Sequence, residues 1–245
     1  MNDNPAGGGA ETTDLFSTND AVELYTRRFA EADELFPQER KAVDRYFEAG
    51  GTVLDVGCGV GRVSTLLYER GFEVTGIDIS EPFVEKARSL VPEAEFHVAD
   101  ITDTEFDTGS FDHVIFSFFG LDYLIPERKR IEALTEIRRI LKPSGVFLFS
   151  THNRWHPLVP LSVRNLGLGL KDIYDLYLRK RNRSRWFSRY KAESVTLGEM
   201  EIYLTNPVNQ WIQLRKCGLT PIDVIGEREG FLRFFERDPH YVAKK

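Results

Sequence analysis

Apolar residues at Ala21, Leu24, Tyr25, Phe29 and Ala32 recur at helical spacing, and Asp20 stands before them as a natural N-cap. A second helix opens at Pro37, carries Val43, Tyr46 and Phe47 inward, and stops at Gly50-Gly51. At Thr52 the period changes. Thr52–Val56 is a β-branched run that leads into Gly57, Gly59 and Gly61 and then into a helical pattern with Val63, Leu66 and Leu67, which predicts strand, glycine turn and helix. The alternation repeats, with strands over Glu73–Ile77, Ala94–Val98, His113–Phe118 and Ser144–Ser150. Between them, one helix starts at Ser80 and Pro82 and another spans Glu127–Leu141, closed by Pro143. Strands joined through helices run parallel, and the near-continuous apolar character of residues 144–150 suits a strand covered on both faces.

The rhythm breaks after the fifth strand, where Trp155, Pro157, Pro160, clustered glycines and a basic run predict an inserted lid over residues 155–205, with one extra strand at Met200–Leu204. Regularity returns with Asn206 as a cap, Pro207 at the first helical position and Val208, Trp211 and Ile212 on one face. Leu219–Gly226 and His240–Ala243 read as a closing strand pair. The expected fold is α/β: a doubly wound, seven-stranded, mostly parallel sheet with N-terminal cap helices and a basic insertion after the fifth strand. Residues 1–19 lack a sustained apolar period and are expected to be a mobile tail with little function, ahead of a single domain over 20–245.

Composition agrees with this picture: 245 residues, 42% hydrophobic and 29% charged, describe an ordinary globular domain. No run approaches the roughly 20 apolar residues of a membrane-spanning helix, and the N-terminus lacks the order of a secretory signal. With Cys58 and Cys217 as the only cysteines, the expected location is the cytoplasm. Charge adds an asymmetry. The segment from Arg164 to Lys191 holds nine Lys/Arg against Asp172 and Asp175, a local +7 that leaves −13 on the rest of the chain. A solvated basic face accounts for it, as does an anionic substrate, membrane or nucleic acid.

The candidate chemistry begins at Val53-Leu54-Asp55-Val56-Gly57-Cys58-Gly59-Val60-Gly61-Arg62. The glycines let the backbone turn sharply and approach a ligand closely. Asp55, just before the loop, would repel a phosphate and suits a ligand carrying a positive amino group. This run resembles motif I of the class I S-adenosylmethionine-dependent methyltransferases, and Leu141-Lys142-Pro143-Ser144-Gly145-Val146-Phe147 is similar to the family's motif before the fifth strand, departing from it at Ser144, where glycine is usual. The resemblance implies S-adenosyl-L-methionine as cofactor, with S-adenosyl-L-homocysteine as product, held by Asp55 and by Gly57, Cys58, Gly59 and Gly61. It further implies Asp78 with Ile79 at the ribose, Asp100 with Ile101 at the adenine, and Ser117 and Phe118 flanking the cofactor. Tyr25 and Arg28, on the first helix, and Arg62, after the loop, are candidates for the methionine carboxylate or the substrate. No metal is implied.

Methyl transfer from an activated donor requires chiefly positioning, and a base only for an un-ionised hydroxyl acceptor. His152, after the fifth strand, is the candidate for that catalytic role, with substrate binding or turn capping as the alternatives. No Asn/Asp-Pro-Pro-aromatic run follows the fourth strand, which lowers the weight of nucleic-acid base methylation. The stretches Phe116–Leu124, Glu136–Pro143, Phe149–Asn153 and Tyr203–Gln210 resemble methyltransferases of surface-polysaccharide and glycan pathways, which implies a small-molecule or glycan acceptor: a sugar hydroxyl or a uronic-acid carboxylate. Arg179, Lys180, Arg181, Arg183 and Arg185, with Trp186, Phe187 and Tyr190, are compatible with a lipid-linked sugar or peripheral contact with an anionic membrane. An RNA or protein methyltransferase using the basic insert, and a non-catalytic cofactor-binding partner, are the competing readings. The oligomeric state is not legible.

Overall fold

A computed structural model describes residues 15–29, 34–156, 174, 189–195 and 198–245. The elements are α1 (Asn19–Phe29), α2 (Pro37–Tyr46), β1 (Thr52–Val56), α3 (Arg62–Glu69), β2 (Glu73–Asp78), α4 (Glu81–Leu90), β3 (Glu95–Val98) and β4 (Phe111–Phe116). There follow α5 (Glu127–Ile140), β5 (Leu141–Ser150), β6 (Tyr190–Val195), β7 (Gly198–Tyr203), α6 (Pro207–Lys216), β8 (Thr220–Ile225) and β9 (His240–Lys244). Seven strands form one sheet in the order β3-β2-β1-β4-β5-β9-β8. β1 to β5 pair in parallel, and β9 lies antiparallel between β5 and β8. The expected doubly wound, mostly parallel sheet is the observed one, and β8 with β9 is its closing pair.

Alternation along the central strands explains the two layers. Leu54, Val114, Phe147 and Phe149 face α5 and α6, where Leu134, Ile137 and Leu214 complete one core. Their neighbours Val53, Ile115, Val146 and Leu148 face α2 and α3, against Val43, Leu66 and Leu67. Both faces are dry, so each strand reads as a continuous apolar run. Several local expectations shift. Thr18, not Asp20, caps α1, its hydroxyl accepting from the Ala21 amide at 3.2 Å. α2 ends at Tyr46, before the glycine pair. α5 ends at Ile140 because Leu141 already belongs to β5, ahead of Pro143. Ser144 has a φ of 67°, the left-handed conformation for which glycine is the usual residue.

The helix face read for α6 is corrected. Val208 and Ile212 are exposed, Trp211 is partly buried, and the inward residues are Gln210, Gln213 and Leu214. The reason is Arg130, on α5, fully buried and hydrogen-bonded to Gln213 Oε1 at 3.1 Å, Gln210 Oε1 at 2.5 Å and the Leu121 carbonyl at 2.6 Å. Its partner is the equally buried Asp122, at 3.0 Å. A buried guanidinium needs its donors satisfied more than α6 needs an apolar face.

Of the expected lid, residues 157–173, 175–188, 196 and 197 lie outside the described residues, and with them Arg179, Lys180, Arg181, Arg183, Arg185, Trp186 and Phe187. Residues 1–14 of the expected tail also lie outside them. The described end of the insert is a two-stranded antiparallel sheet of β6 and β7, where one strand was expected. Of its basic residues, Arg189 is exposed and pairs with Glu127 at 2.9 Å, and Lys191 is buried. Tyr190 is buried as well, its hydroxyl accepting from the Glu127 amide at 2.9 Å. Among the described residues no helix is long and apolar enough to cross a membrane.

Replacing Arg130 by Met strands Asp122 as an uncompensated buried carboxylate. Urea denaturation of Arg130→Met is expected to show an unfolding free energy lower by ~3–5 kcal/mol; a loss within the scatter of surface substitutions would rule out this network as a fold determinant.

Candidate functional site

The three acids predicted from the sequence stand at the carboxyl edge of adjacent strands and line one cavity of about 440 Å³. Asp55 sits one residue from the end of β1, aligned with Gly76 of β2 and Ile115 of β4. It is buried, and the Ser64 hydroxyl donates to its Oδ2 at 2.7 Å. Burial pushes its carboxyl up to about 7 against the pull of Ser64 and the Arg62 charge, with Glu39 and Asp78 adding to the rise. Asp78 ends β2. Its Oδ2 accepts from the Gly59 amide at 2.9 Å and its Oδ1 from the Ser80 amide at 2.9 Å. Burial raises its pKa and these amides oppose the rise. Asp100 follows β3, is exposed, and accepts from the amide and hydroxyl of Thr102 at 2.9 and 2.8 Å.

The loop between β1 and α3 is built for close approach. Gly59 has a φ of 54° and no atom within 4 Å of where a Cβ would stand, so its backbone faces open space. Gly61 takes φ 88° as the N-cap of α3 and lies outside the cavity wall, whereas Gly57, Cys58 and Gly59 line it. Beyond β4 the chain turns through Phe118 and Phe119, both with positive φ (53° and 63°), a strained conformation for aromatic residues that the Ser150 hydroxyl helps to hold by accepting from the Phe119 amide at 3.0 Å. At Gly120 a Cβ would fall 2.0 Å from the Phe116 ring, which fixes glycine there.

Of the expected cofactor residues, Tyr25, Asp55, Gly57, Cys58, Gly59, Arg62, Asp78, Ile79, Asp100, Ile101, Ser117 and Phe118 line the cavity, and Gly61 and Arg28 do not. Arg28 instead lies over the Phe118 ring, 4.9 Å from its centroid. Arg62 is committed elsewhere: both its terminal nitrogens pair with Glu39, at 2.9 and 2.7 Å, and its guanidinium packs 4.1 Å from the Phe36 ring centroid. An arginine neutralised in this way is a weaker counter-ion for a ligand carboxylate than a free one. His152 also lies outside the cavity wall. It stacks on Phe119, with ring centroids 4.1 Å apart, and both its amide (2.7 Å) and its Nδ1 (3.0 Å) meet Asp122 Oδ2.

The residues that sequence reading missed are as telling. Glu39 is fully buried; burial pushes its carboxyl up, but Arg62 and the Ser117 hydroxyl hold it below the ordinary value. Its one sequence signal is its place three residues after Phe36, whose amide donates to it at 2.9 Å in the manner of a helix-start acid. Phe16, assigned to the tail, lines the cavity and packs against Tyr25, Phe83 and Tyr123. An isolated aromatic ahead of the first periodic helix carries no pattern to reveal it. The result is a cavity with carboxylates along the strand edge and an aromatic roof.

Strand order β3-β2-β1-β4-β5-β9-β8 with a glycine loop after β1 defines a doubly wound α/β domain that binds its ligand at the carboxyl edge. The family of methyltransferase domains matches residues 53–145, which run from the second residue of β1 into the first half of β5. A demethylmenaquinone methyltransferase of Clavibacter sepedonicus is 38% identical over 153 residues, 60% of this chain and 59% of that one. A ubiquinone biosynthesis O-methyltransferase of Alkalilimnicola ehrlichii is 32% identical over 180 residues, 67% of this chain and 68% of that one. A SAM-dependent methyltransferase structure from Methanosarcina mazei superposes with a TM-score of 0.67 at 20% identity, covering 86% of this chain and 98% of that one. The chain belongs to the class I S-adenosylmethionine-dependent methyltransferases. It spans about half the length, 49%, of other curated relatives that it matches.

The Asp55 carboxyl stays protonated in the folded chain up to about pH 7, against an ordinary value of 3.8. Between those values the native state holds the extra proton, so this group's share of stability falls as pH rises and changes no further above about 7. Asp55→Asn removes the titration. The stability of the variant minus that of the wild type, from urea denaturation between about pH 5 and about pH 8, is therefore expected to climb with pH and then level off; a pH-independent difference would mean that Asp55 is ionised throughout.

Proposed function

We propose that this chain transfers the methyl group of S-adenosylmethionine to an apolar small-molecule acceptor. The observation that carries the reading is the convergence of Asp55, Asp78 and Asp100 on one aromatic-roofed cavity. Those residues fit the cofactor: backbone open at Gly59, acceptors for a ribose and an adenine amine, and a carboxyl that an ammonium would ionise. In this reading Asp78 accepts the ribose hydroxyls, Asp100 with Ile101 holds the adenine, Asp55 meets the amino group, and Phe118 and Tyr25 cover the ligand. When bound, the cofactor supplies an activated methyl on a sulfonium, and this chain's residues position the acceptor and exclude water.

The acceptor class follows from the wall. Phe16, Phe29, Phe83, Phe118 and Leu124 offer rings and an aliphatic surface, with Tyr123 and Lys129 as polar groups beside them, which suits an apolar acceptor carrying a hydroxyl. The relatives named for quinone pathways support the same class. The membrane reading and the RNA or protein reading rested on the basic insert, where Arg179–Phe187 lie outside the described residues; the glycan reading rested on the resemblance of Phe116–Leu124, Glu136–Pro143, Phe149–Asn153 and Tyr203–Gln210, and the relatives named for quinone pathways do not support it. For an un-ionised hydroxyl acceptor, His152 is the proposed base. Asp122, whose other oxygen pairs with Arg130, meets His152 Nδ1 and orients the ring for that role. His152 packs on Phe119 and neither residue lines the cavity, so this role requires His152 and the acceptor to be brought together by a local movement.

Asp78→Ala is expected to weaken S-adenosylhomocysteine binding by ~1.5–3 kcal/mol, the worth of hydrogen bonds to a charged group, as read by calorimetry. Unchanged affinity in the folded variant refutes the ribose assignment. Incubation of the wild type with methyl-labelled cofactor and a panel of phenols and quinols should label an acceptor; cofactor binding without transfer to any of them would favour a non-catalytic binding protein.

A further inference from the structure

A second cleft, of about 170 Å³, opens at the end of β8 and shares no lining residue with the cofactor cavity. β9 is antiparallel to both β5 and β8, so β8 runs with the parallel strands and this cleft lies at the same carboxyl edge of the sheet. Lys41 and Arg45 of α2 and Arg228 and Arg233 of the β8–β9 connection line it, with Asp223 and Glu229 as its acids.

Asp223 is already committed. One oxygen accepts from Arg45 at 3.1 Å and from the Tyr46 hydroxyl at 2.7 Å; the other pairs with Arg233 at 3.0 Å and accepts from the Val224 amide at 2.8 Å. Four cations against two acids leave an excess of two positive charges in a small polar cleft. Among the described residues the exposed side chains of Lys41 and Arg228 have no ion-pair partner, and the partly exposed Arg233 keeps one terminal nitrogen outside its pair with Asp223. The cleft's excess positive charge favours an anionic ligand, and arginine forks match tetrahedral oxyanions in both charge and geometry.

We propose that this cleft binds a phosphate or phosphoryl group, with Arg228, Arg233 and Lys41 as its donors. The site is independent of the methyltransferase reading. Its test is a calorimetric titration of the full chain with inorganic phosphate at constant ionic strength, chloride replacing phosphate in the control. Saturable binding is expected, and the double variant Lys41→Glu, Arg228→Glu, both substitutions being of exposed side chains, should weaken it by about tenfold or more. Affinity for S-adenosylhomocysteine should stay unchanged in the same variant. Sedimentation with phosphatidic acid vesicles, against phosphatidylcholine alone, separates the sources: recruitment lost in the variant assigns a lipid phosphoryl group, and phosphate binding without recruitment assigns a soluble one. Equal phosphate response in wild type and variant, a response matched by chloride, or a parallel loss of S-adenosylhomocysteine affinity would overturn the proposal.

Discussion

The hydrogen bond from the Gly59 amide to the Asp78 carboxylate ties the loop after β1 to the end of β2, and the shape of the site depends on it. A glycine loop is entropically the least constrained segment of such a fold, and a carboxylate at the mouth of an apolar sheet is among its least comfortable charges. Each resolves the other's difficulty. The amides of Gly59 and Ser80 pay part of the desolvation of Asp78, and Asp78 holds the loop in the conformation that leaves backbone facing the cavity. The strand register sets this up, because parallel pairing of β1 with β2 brings Val56 beside Ile77 and so the loop beside Asp78.

Around that bond the protein buries two ion pairs. Glu39 and Arg62 join α2 to the start of α3 beneath the cavity, and Asp122 and Arg130 join the turn after β4 to α5. Both are satisfied beyond their Coulombic partner, the first by Ser117, the second by Gln210, Gln213 and the His152 amide. Buried pairs contribute little net stability but penalise any arrangement in which one partner is lost. Their effect here is to fix where the strained turn at Phe118 and Phe119 can sit, since Ser117 precedes it, Asp122 follows it and Ser150 holds its middle.

The elements legible in the sequence were those with local signals. β1, β4 and β5 announce themselves because they are largely buried and rich in apolar residues, and the three acids because each stands at or just beyond the end of a strand pattern. What was not legible depends on partners distant in the chain. α6 presents Gln210 and Gln213 inward only because Arg130, some eighty positions earlier by the 80- and 83-residue separations of these bonds, needs acceptors. Glu39 looks like a helix-start acid until Arg62 is placed beside it, and β6 was hidden because it buries a lysine, Lys191, between Tyr190 and Ala192 at the end of a basic run. Phe16 had no periodic neighbours to mark it.

Asp55 shows why residue type alone underdetermines chemistry. Read from the sequence, it is an anion awaiting an ammonium group; in the fold it is a buried acid that loses its proton only near pH 7. The two descriptions are ends of one equilibrium. An opposite charge brought within a few ångströms favours the ionised form, whereas burial favours the neutral one. On the proposed reading, the arriving amino group therefore draws the proton from Asp55, and part of the attraction is spent on that ionisation. Ser64, donating at 2.7 Å, lowers the cost because its hydrogen bond is stronger to the carboxylate than to the acid. A residue that is neutral without its ligand and charged with it avoids an unpaired buried anion in the free protein, which is the state that burial at this strand end would otherwise impose.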